Sequence, residues 1–85
     1  MSIVDMACLL CDGTALGARA GTAELELRCA VCGAYTITVG AVNDLRQNPA
    51  HAILVRAEVG RRRAKGDAMP RVDMELLDAA LKAGA

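Results

Sequence analysis

Four cysteines carry most of the chemistry that this sequence can perform. They form two C-x2-C pairs, Cys8 with Cys11 and Cys29 with Cys32, and residues 12–28 separate the two pairs. Two residues between paired cysteines let a tight turn direct both sulfur atoms to one point, with backbone N–H groups of the turn facing the sulfurs. Cysteines at this spacing are typical of tetrahedral zinc sites with Zn–S distances of about 2.3 Å. The pattern predicts one structural Zn2+ bound by all four cysteines.

Spacing alone leaves three other uses of these cysteines open. Iron could bind the same four thiolates and transfer electrons, because ligand spacing does not select the metal. The thiols could also form two disulfides, or lie buried and free. The chain has one Tyr and no Phe or Trp, so it lacks an aromatic shell, and this counts against iron, as does the length of the segment between the pairs.

The composition favours the zinc interpretation. The chain has 85 residues, enough for one domain, and 54% of them are apolar, but only 1% are aromatic. Such a short chain builds a thin core, because aromatic side chains bury the most area per residue. A structural zinc site contributes roughly 10–16 kcal/mol of apparent binding free energy in small peptides, much of which becomes folding free energy. We expect the metal to supply what the core lacks.

The N-terminal sequence predicts a cytoplasmic protein. Residues 1–20 contain Asp5 and Asp12 but neither a basic stretch nor an apolar run long enough for a secretion signal. No segment approaches the roughly 18 uncharged apolar residues that a membrane-spanning helix needs, so we expect no membrane partner. In the cytoplasm, cysteines bind metals more readily than they form disulfides.

Alternating polarity predicts two strands on either side of the second cysteine pair. In residues 22–28 the apolar side chains point one way and the charged ones the other, which is the period of a half-buried strand. Residues 35–39 repeat this pattern, with Tyr35, Ile37 and Val39 on one face. The simplest arrangement is a β-hairpin whose turn carries the second cysteine pair.

Glycines mark the expected turns. Gly33 follows the second cysteine pair directly and suits the left-handed conformation that such a turn requires. After the first pair the glycine is one position later, at Gly13, so this turn fits the pattern less well. Residues 13–21 contain three glycines and are predicted to form a loop.

Two segments early in the second half have helical patterns. Residues 41–47 can form one or two helical turns. Asn48 as N-cap and Pro49 at the first helical position predict a longer helix that extends to about residue 65, where Gly66 ends it. Within this helix a stripe of small and apolar residues is expected to pack on the hairpin, and it consists of Ile53, Ala57, Gly60 and Ala64.

A last helix is predicted after Pro70. Asp73 is its expected N-cap, Glu75 lies in its first turn where a negative charge favours the helix dipole, and it extends through Lys82. Its apolar face consists of Leu76, Leu77, Ala80 and Leu81.

The pattern C-x2-C, a loop, and then L-x-L-x-C-x2-C-G-x-Y-x-I-T resembles a zinc ribbon of the kind found at the N-terminus of many uncharacterised prokaryotic and phage proteins. The resemblance covers about residues 5–45, and in its second half it rests on Cys29, Cys32, Gly33, Tyr35, Ile37 and Thr38. It implies a fold and a structural metal rather than one reaction, because zinc ribbons serve in transcription machinery, ribosomal proteins, nucleases and protein adaptors.

Together these patterns predict a small α+β fold. Residues 1–45 are expected to form the zinc ribbon, with β-hairpins and two cysteine knuckles. Residues 46–85 are expected to form a helical extension of two or three short helices that packs on the ribbon, so that the chain is a single compact unit.

The basic side chains are concentrated in the second half, although the formal net charge of the whole chain is +0. Neutrality argues against a chain that binds polyanions with its whole surface. A local cluster could nevertheless contact a partner or nucleic-acid phosphates. The alternative is a solvated helix end, where cations favour the helix dipole and pair with Glu58 or with the acidic last helix. The candidate partner-binding residues are Arg56, Arg61, Arg62, Arg63, Lys65 and Arg71.

Other polar residues offer little catalytic chemistry. His51 is expected to cap or pack rather than to bind the metal, and Tyr35 is expected to lie in the core rather than to stack on a base. No Cys–His pair is free of the predicted zinc site, Ser2 is the only serine, and there is no phosphate-binding glycine loop. A zinc ion closed by four thiolates also has no open position for a substrate.

These observations predict a non-enzymatic zinc-binding module that interacts with another protein. It would act as an adaptor, a regulator or a phage-type inhibitor that docks on a larger machine, including one that handles nucleic acid. The alternative is a nucleic-acid-binding zinc ribbon that uses the basic helix end around Arg61 and Lys65. The ribbon half carries more acidic than basic side chains, which argues against nucleic-acid contact through the ribbon itself. We expect no small-molecule substrate.

Overall fold

A computed structural model describes residues 3–84 as one five-stranded sheet and three helices. The strands lie side by side in the order β1-β2-β3-β4-β5, and only the β4–β5 pair is parallel. The predicted α+β class, with β-hairpins followed by helices, is confirmed. In chain order the elements are β1 (Ile3–Ala7), β2 (Thr14–Arg19), β3 (Glu24–Cys29), β4 (Gly33–Thr38), α1 (Val39–Gln47), α2 (His51–Ala64), β5 (Arg71–Val72) and α3 (Met74–Gly84).

The loop predicted at residues 13–21 is wrong, because most of this segment is strand β2. It pairs with β1 on one side and with β3 on the other, and Ala15 and Gly17 face the core. Gly17 provides room for the side chain of Met6, which a Cβ at this position would overlap. Strand propensity depends strongly on such packing and pairing, and here they outweigh the poor propensity of a Gly- and Ala-rich segment.

The predicted β3–β4 hairpin is confirmed. Leu27 lies opposite Tyr35 and Cys29 lies opposite Gly33, so the second cysteine pair occupies the turn. Leu27 and Tyr35 are completely buried, whereas Arg28 on the other face is exposed. This alternation is the period of two that the sequence showed.

Helix α1 is longer than the one or two turns predicted. It begins at Val39 because Thr38 acts as its N-cap, with the Oγ1 of Thr38 accepting a hydrogen bond from the backbone N–H of Ala41 at 3.3 Å. Val39 was predicted to share the strand face of Tyr35, but it lies in the first helical turn and is exposed.

The start predicted for α2 is also wrong in detail. Asn48 ends α1 instead of capping α2: its backbone N–H and its side-chain Nδ2 both donate to the carbonyl oxygen of Asp44, at 2.8 and 3.4 Å. Helix α2 begins at His51, after a turn in which the N–H of His51 donates to the carbonyl of Asn48 at 2.9 Å. An Asn between two helices can serve either one, and the sequence does not distinguish the two roles.

The buried face of α2 is not the predicted stripe. Val55 and Val59 face the core, whereas Ile53 is 74% exposed and Gly60 has no heavy atom near its missing Cβ. The remaining stripe residues, Ala57 and Ala64, are exposed as well. The two valines remove more apolar surface from water than a stripe of alanine and glycine would, so the helix turns them inward.

The last elements close the core. Strand β5 was not predicted; it follows Pro70, whose carbonyl accepts a hydrogen bond from the N–H of Thr36 at 3.0 Å. The predicted N-cap of α3 is confirmed, because the Oδ1 of Asp73 accepts from the N–H of Leu76 at 2.8 Å. Three of its four predicted apolar residues are buried and the fourth is half-buried, namely Leu76, Leu77 and Ala80, with Leu81 at the edge.

The helices cover one face of the sheet. Completely buried side chains of the strands, such as Leu27 and Ile37, share a single core with those of α2 and α3, such as Val55 and Leu76. The opposite face lies open: polar residues such as Glu26 and Arg28 are half-buried or exposed there, and Ile3 and Leu16 are exposed apolar residues. Within residues 3–84, none of the helices has the length and apolar character needed to cross a membrane.

Candidate metal centre

The fold brings all four cysteines to one end of the sheet. Their Sγ atoms lie within 4.8 Å of one another, and all four thiols are free. The Sγ atoms of Cys8 and Cys32 are 3.9 Å apart, and those of Cys11 and Cys29 are 3.5 Å apart. A tetrahedral ion with metal–sulfur distances of about 2.3 Å requires sulfur atoms about 3.8 Å apart. The predicted ligand set could therefore hold a metal ion with little movement.

The first knuckle, residues 8–11, is the turn between β1 and β2. It is closed by two backbone hydrogen bonds, from the N–H of Cys8 to the carbonyl of Gly13 at 2.7 Å and from the N–H of Asp12 to the carbonyl of Cys8 at 3.0 Å. The residue that adopts the left-handed conformation in this turn is Asp12, at φ 60, and not Gly13, which is one position further along the chain. Aspartate tolerates this conformation better than most residues, so the turn forms without glycine.

The second knuckle, residues 29–32, is the turn of the β3–β4 hairpin. The backbone N–H groups of Val31 and Cys32 both lie 3.4 Å from the Sγ of Cys29 and donate to it. Gly33 has φ +85, which confirms the left-handed turn expected there. Amide groups directed at sulfur stabilise the thiolate, which is the form that binds metals.

The electrostatics of the centre are uneven. The backbone N–H of Cys32, followed by that of Val31, lowers the pKa of the Cys29 thiol to about 7, although burial acts against both. Burial, followed by the contact with Cys11, raises the pKa of the Cys32 thiol. Without a cation the cluster therefore favours thiolate at Cys29 and opposes a second negative charge at Cys32. A bound cation would relieve this repulsion and bring all four sulfurs to the thiolate form.

Tyr35 contacts the centre directly. Its hydroxyl lies 3.3 Å from the Sγ of Cys8, and its side chain is completely buried. Burial, followed by the Cys8 sulfur, raises the pKa of this hydroxyl, so the phenol stays neutral and can donate its O–H to a Cys8 thiolate. The core position of Tyr35 was predicted and is confirmed. Its hydrogen bond to Cys8 was missed, because 27 residues separate the two in the sequence.

An all-sulfur donor set restricts the chemistry. Soft thiolates select ions such as zinc or iron over magnesium or calcium. Two of the sulfurs belong to buried residues, Cys8 at 1% and Cys29 at 5% exposure, so the interior of the cluster is shielded from water. A tetrahedral ion held by four protein ligands has no vacant coordination position, and such an arrangement supports structure rather than hydrolysis.

The six candidate basic residues differ in their contacts, and three of them pair with carboxylates. Arg61 and Arg62 both pair with Glu58, at 2.6 and 3.3 Å, and these two guanidinium groups, Arg61 first, lower the pKa of the Glu58 carboxyl. Arg71 pairs with Glu24 across the sheet and also lies near Asp73. The pairing with Glu58 that the sequence suggested as an alternative is thus present.

The side chain of Arg63 extends towards the second knuckle and contacts backbone carbonyls instead of a carboxylate. Its guanidinium donates to the backbone carbonyls of Cys32 at 3.2 Å, Ala34 at 2.7 Å and Ala68 at 3.1 Å. Arg56 and Lys65 are exposed, and neither forms a salt bridge with another residue in the 3–84 range. The six candidates therefore do not form one continuous free cationic surface.

His51 connects helices α1 and α2. Its Nδ1 lies 2.8 Å from the Oδ2 of Asp44, which links the start of α2 to α1. This agrees with the packing or capping role expected from the sequence, and the cysteine cluster does not include it.

Comparison with known proteins adds no assignment. No protein-family model matches the chain, and no match of significance was found among curated proteins or among solved structures.

Proposed function

We propose that this chain is a non-enzymatic zinc-binding module that interacts with another protein, as an adaptor, regulator or phage-type inhibitor on a larger assembly. The observation that carries the proposal is the cluster of four free cysteines, whose sulfur atoms have the spacing of a tetrahedral site. The resemblance of the ribbon pattern to zinc ribbons supports the same assignment.

Zinc is favoured over iron on two grounds. Zinc has no redox chemistry, and a closed four-thiolate site suits an ion whose role is to hold the fold together. The chain also needs such an ion, because its core contains one aromatic residue, Tyr35, and many small ones. Freshly purified protein should therefore contain one zinc per chain by elemental analysis. Visible colour with stoichiometric iron would replace zinc with an electron-transfer centre.

Substitution with cobalt provides a geometric test of the same site. Co2+ bound by four thiolates should give the intense absorption of tetrahedral cobalt–sulfur coordination, and Zn2+ should displace it. Cys11→Ser should weaken this spectrum, because it removes one of the four ligands. A protein that binds neither ion would refute the metal-binding part of the proposal.

A protein partner is favoured over nucleic acid by the state of the basic residues. Arg61, Arg62 and Arg71 already pair with carboxylates, and the whole chain is neutral. Nucleic-acid affinity comes largely from cations that neutralise phosphates, and of the six candidate residues only Arg56 and Lys65 have side chains without a polar contact within residues 3–84. Exposed apolar side chains, which protein interfaces bury at their centre, are more frequent: Ile3, Val4, Leu16, Val31, Val39, Ile53 and Met74.

The two partner classes respond differently to salt. We expect no binding of the zinc-loaded protein to random single- or double-stranded DNA or RNA at low ionic strength, and a one-to-one complex with a protein from the native host that survives high salt. Salt-dependent nucleic-acid binding that is lost in Arg56→Ala/Lys65→Ala would establish the alternative instead. This pair is the suitable variant, because removing Arg63 would also disturb the second knuckle.

A further inference from the structure

We propose that Arg63 is a positioning residue for the metal centre, and that through it metal binding is coupled to the helical half of the chain. This inference rests on the proposed binding of zinc by the four cysteines. It assigns to Arg63 a role different from contact with an external partner.

The contacts of Arg63 join three separate segments. The side chain leaves the last turn of α2, and its Nη2 donates to the carbonyl oxygens of Cys32 and Ala34, on both sides of the turn that follows the last ligand. Its Nη1 donates to the carbonyl of Ala68, in the segment that leads to β5. One planar guanidinium thus holds a knuckle, a helix end and a loop in one arrangement.

Gly33 completes this arrangement. A Cβ at Gly33 would lie 2.9 Å from the Cζ of Arg63 and 3.0 Å from its Nη2, so the guanidinium lies directly over the glycine. The positive φ of Gly33 directs the carbonyls of its neighbours, Cys32 and Ala34, to the same side. Arg63 therefore contacts the backbone turn that directly follows Cys32, the last cysteine of the cluster.

The neighbouring arginines make no such contacts. Among residues 3–84, Arg61 and Arg62 pair only with Glu58 on their own helix, through side chains that are 48% and 36% exposed. Three consecutive residues of one type therefore have two different roles, and Arg62 provides a matched control. Loss of its ion pair removes only a weak, solvent-screened surface interaction.

Coupling between two sites is reciprocal. If the contacts of Arg63 favour the metal-binding form of the knuckle, then metal binding must stabilise the contacts of Arg63 by the same free energy. The end of α2 and the following turn should respond, because the N–H groups of Lys65, Gly66 and Asp67 donate to carbonyls of the last helical turn. These amides belong to no metal ligand, so their exchange rates report the coupling independently.

The first test measures zinc affinity by competition with a chromophoric chelator. Substitution of residues that orient metal ligands commonly weakens binding about 10–100-fold. We expect a loss in this range for Arg63→Ala and a smaller loss for Arg63→Lys, which keeps the charge but has a single terminal nitrogen that ends one bond short of Nη2 and cannot contact the carbonyl of Ala68 at the same time. Arg62→Ala should change the affinity by less than about fivefold. Equal affinities for Arg63→Ala and Arg62→Ala, or wild-type affinity for Arg63→Lys, would overturn the proposal.

The second test measures amide hydrogen exchange with and without zinc. In the wild type and in Arg62→Ala, zinc should slow exchange at residues 65–67. In Arg63→Lys this zinc-dependent protection should be reduced while the protection of the ligand-bearing turns remains. Protection at residues 65–67 that is independent of Arg63 would contradict the coupling. If wild-type protein binds no zinc, the proposed function fails; if it binds zinc and only these comparisons fail, the role of Arg63 alone is refuted.

Discussion

Two kinds of hydrogen-bond donor contact the sulfur atoms of the cysteine cluster. Backbone N–H groups of the second knuckle point at Cys29, and the hydroxyl of Tyr35 points at Cys8. Both kinds of donor stabilise negative charge on sulfur, which is the form that binds metal ions.

Tyr35→Phe should weaken zinc binding and lower stability without disturbing the core. The ring stays in its buried position, but the O–H donor to Cys8 is lost, and a hydrogen bond to a charged acceptor is worth roughly 1.5–3 kcal/mol. Chelator competition and denaturant unfolding of the zinc-loaded protein measure the two effects. Tyr35→Leu, which also removes aromatic volume, should destabilise the protein further. Unchanged zinc affinity in Tyr35→Phe would show that the hydroxyl does not act on the centre.

The pKa of Cys29 predicts how zinc binding depends on pH. Its folded-state pKa of about 7 lies below the ordinary value of 9.0, so the thiolate of Cys29 stabilises the metal-free fold above the ordinary pKa, and this contribution is lost as the pH falls through about 7. Zinc must displace this proton below about pH 7 but not well above it. The number of protons released on binding should therefore fall by about one as the pH rises through this value.

Titration calorimetry in buffers with different ionisation enthalpies measures that proton number. The zinc-loaded protein provides the control, because its ligands are already deprotonated and addition of excess zinc should release none. A proton number that stays constant across the range would contradict a lowered pKa at Cys29.

At the scale of elements, a glycine in β2 determines how the first hairpin packs. Gly17→Ala should destabilise the protein by about 1 kcal/mol, at the low end for overpacking, because the new methyl group would overlap the side chain of Met6, which is flexible and can move aside. Gly21→Ala is the matched control, since no atom lies within 4 Å of the missing Cβ there. Denaturant unfolding measures the stability of both variants. Gly17→Ala should also cost less stability in a Met6→Ala background than in the wild type, because the side chain that it overlaps is then gone. Equal stability of the two glycine variants would refute this packing.

The N-cap of α3 offers a second test at this scale. Asp73→Ala should lower the stability by about 1 kcal/mol, because the N–H of Leu76 loses its acceptor at the start of the helix. Asp73 also lies near Arg71, so Asp73→Asn keeps a capping side chain while removing the charge. We expect Asp73→Asn to retain most of the stability in thermal unfolding. Equal losses in both variants would assign the effect to the ion pair instead.

At the scale of the whole molecule, the cysteine knuckles and the helices share one apolar core. This core is a single cluster that includes cysteines and residues from all three helices, so the knuckles and the helices cannot unfold independently without exposing shared apolar surface. Removing zinc with excess chelator should therefore strongly lower the midpoint of thermal unfolding, with the strands and the helices of the metal-free fold melting together. The physical reason is that a structural zinc contributes roughly 10–16 kcal/mol, as much as the total stability of many domains.

Circular dichroism during chelation measures this outcome. At a temperature just below the midpoint of the zinc-loaded protein, helical signal should be lost when the chelator removes the metal, and addition of zinc should restore it. An unchanged midpoint in the metal-free protein would show that the apolar core is sufficient and that the ion does not contribute to the stability of the fold.

The sequence by itself determined the ligands, the class of fold and several local elements. Cysteine spacing, the alternation in β3 and β4, and the capping of α3 by Asp73 are local properties, because each depends on residues close together in the chain. The positive φ of Gly33 belongs to the same group. Such features can be predicted because backbone geometry and side-chain period act over a few residues.

Tertiary structure alone decided which of two local alternatives prevailed. Residues 13–21 became a strand because β1 and β3 pair with it on both sides, and α2 buried Val55 instead of the stripe around Ala57 because the larger side chain removes more surface from water. The hydrogen bonds of Tyr35 and Arg63 to the metal centre join residues about 30 positions apart. No local pattern specifies such contacts, because they exist only after the sheet and the helices have packed together.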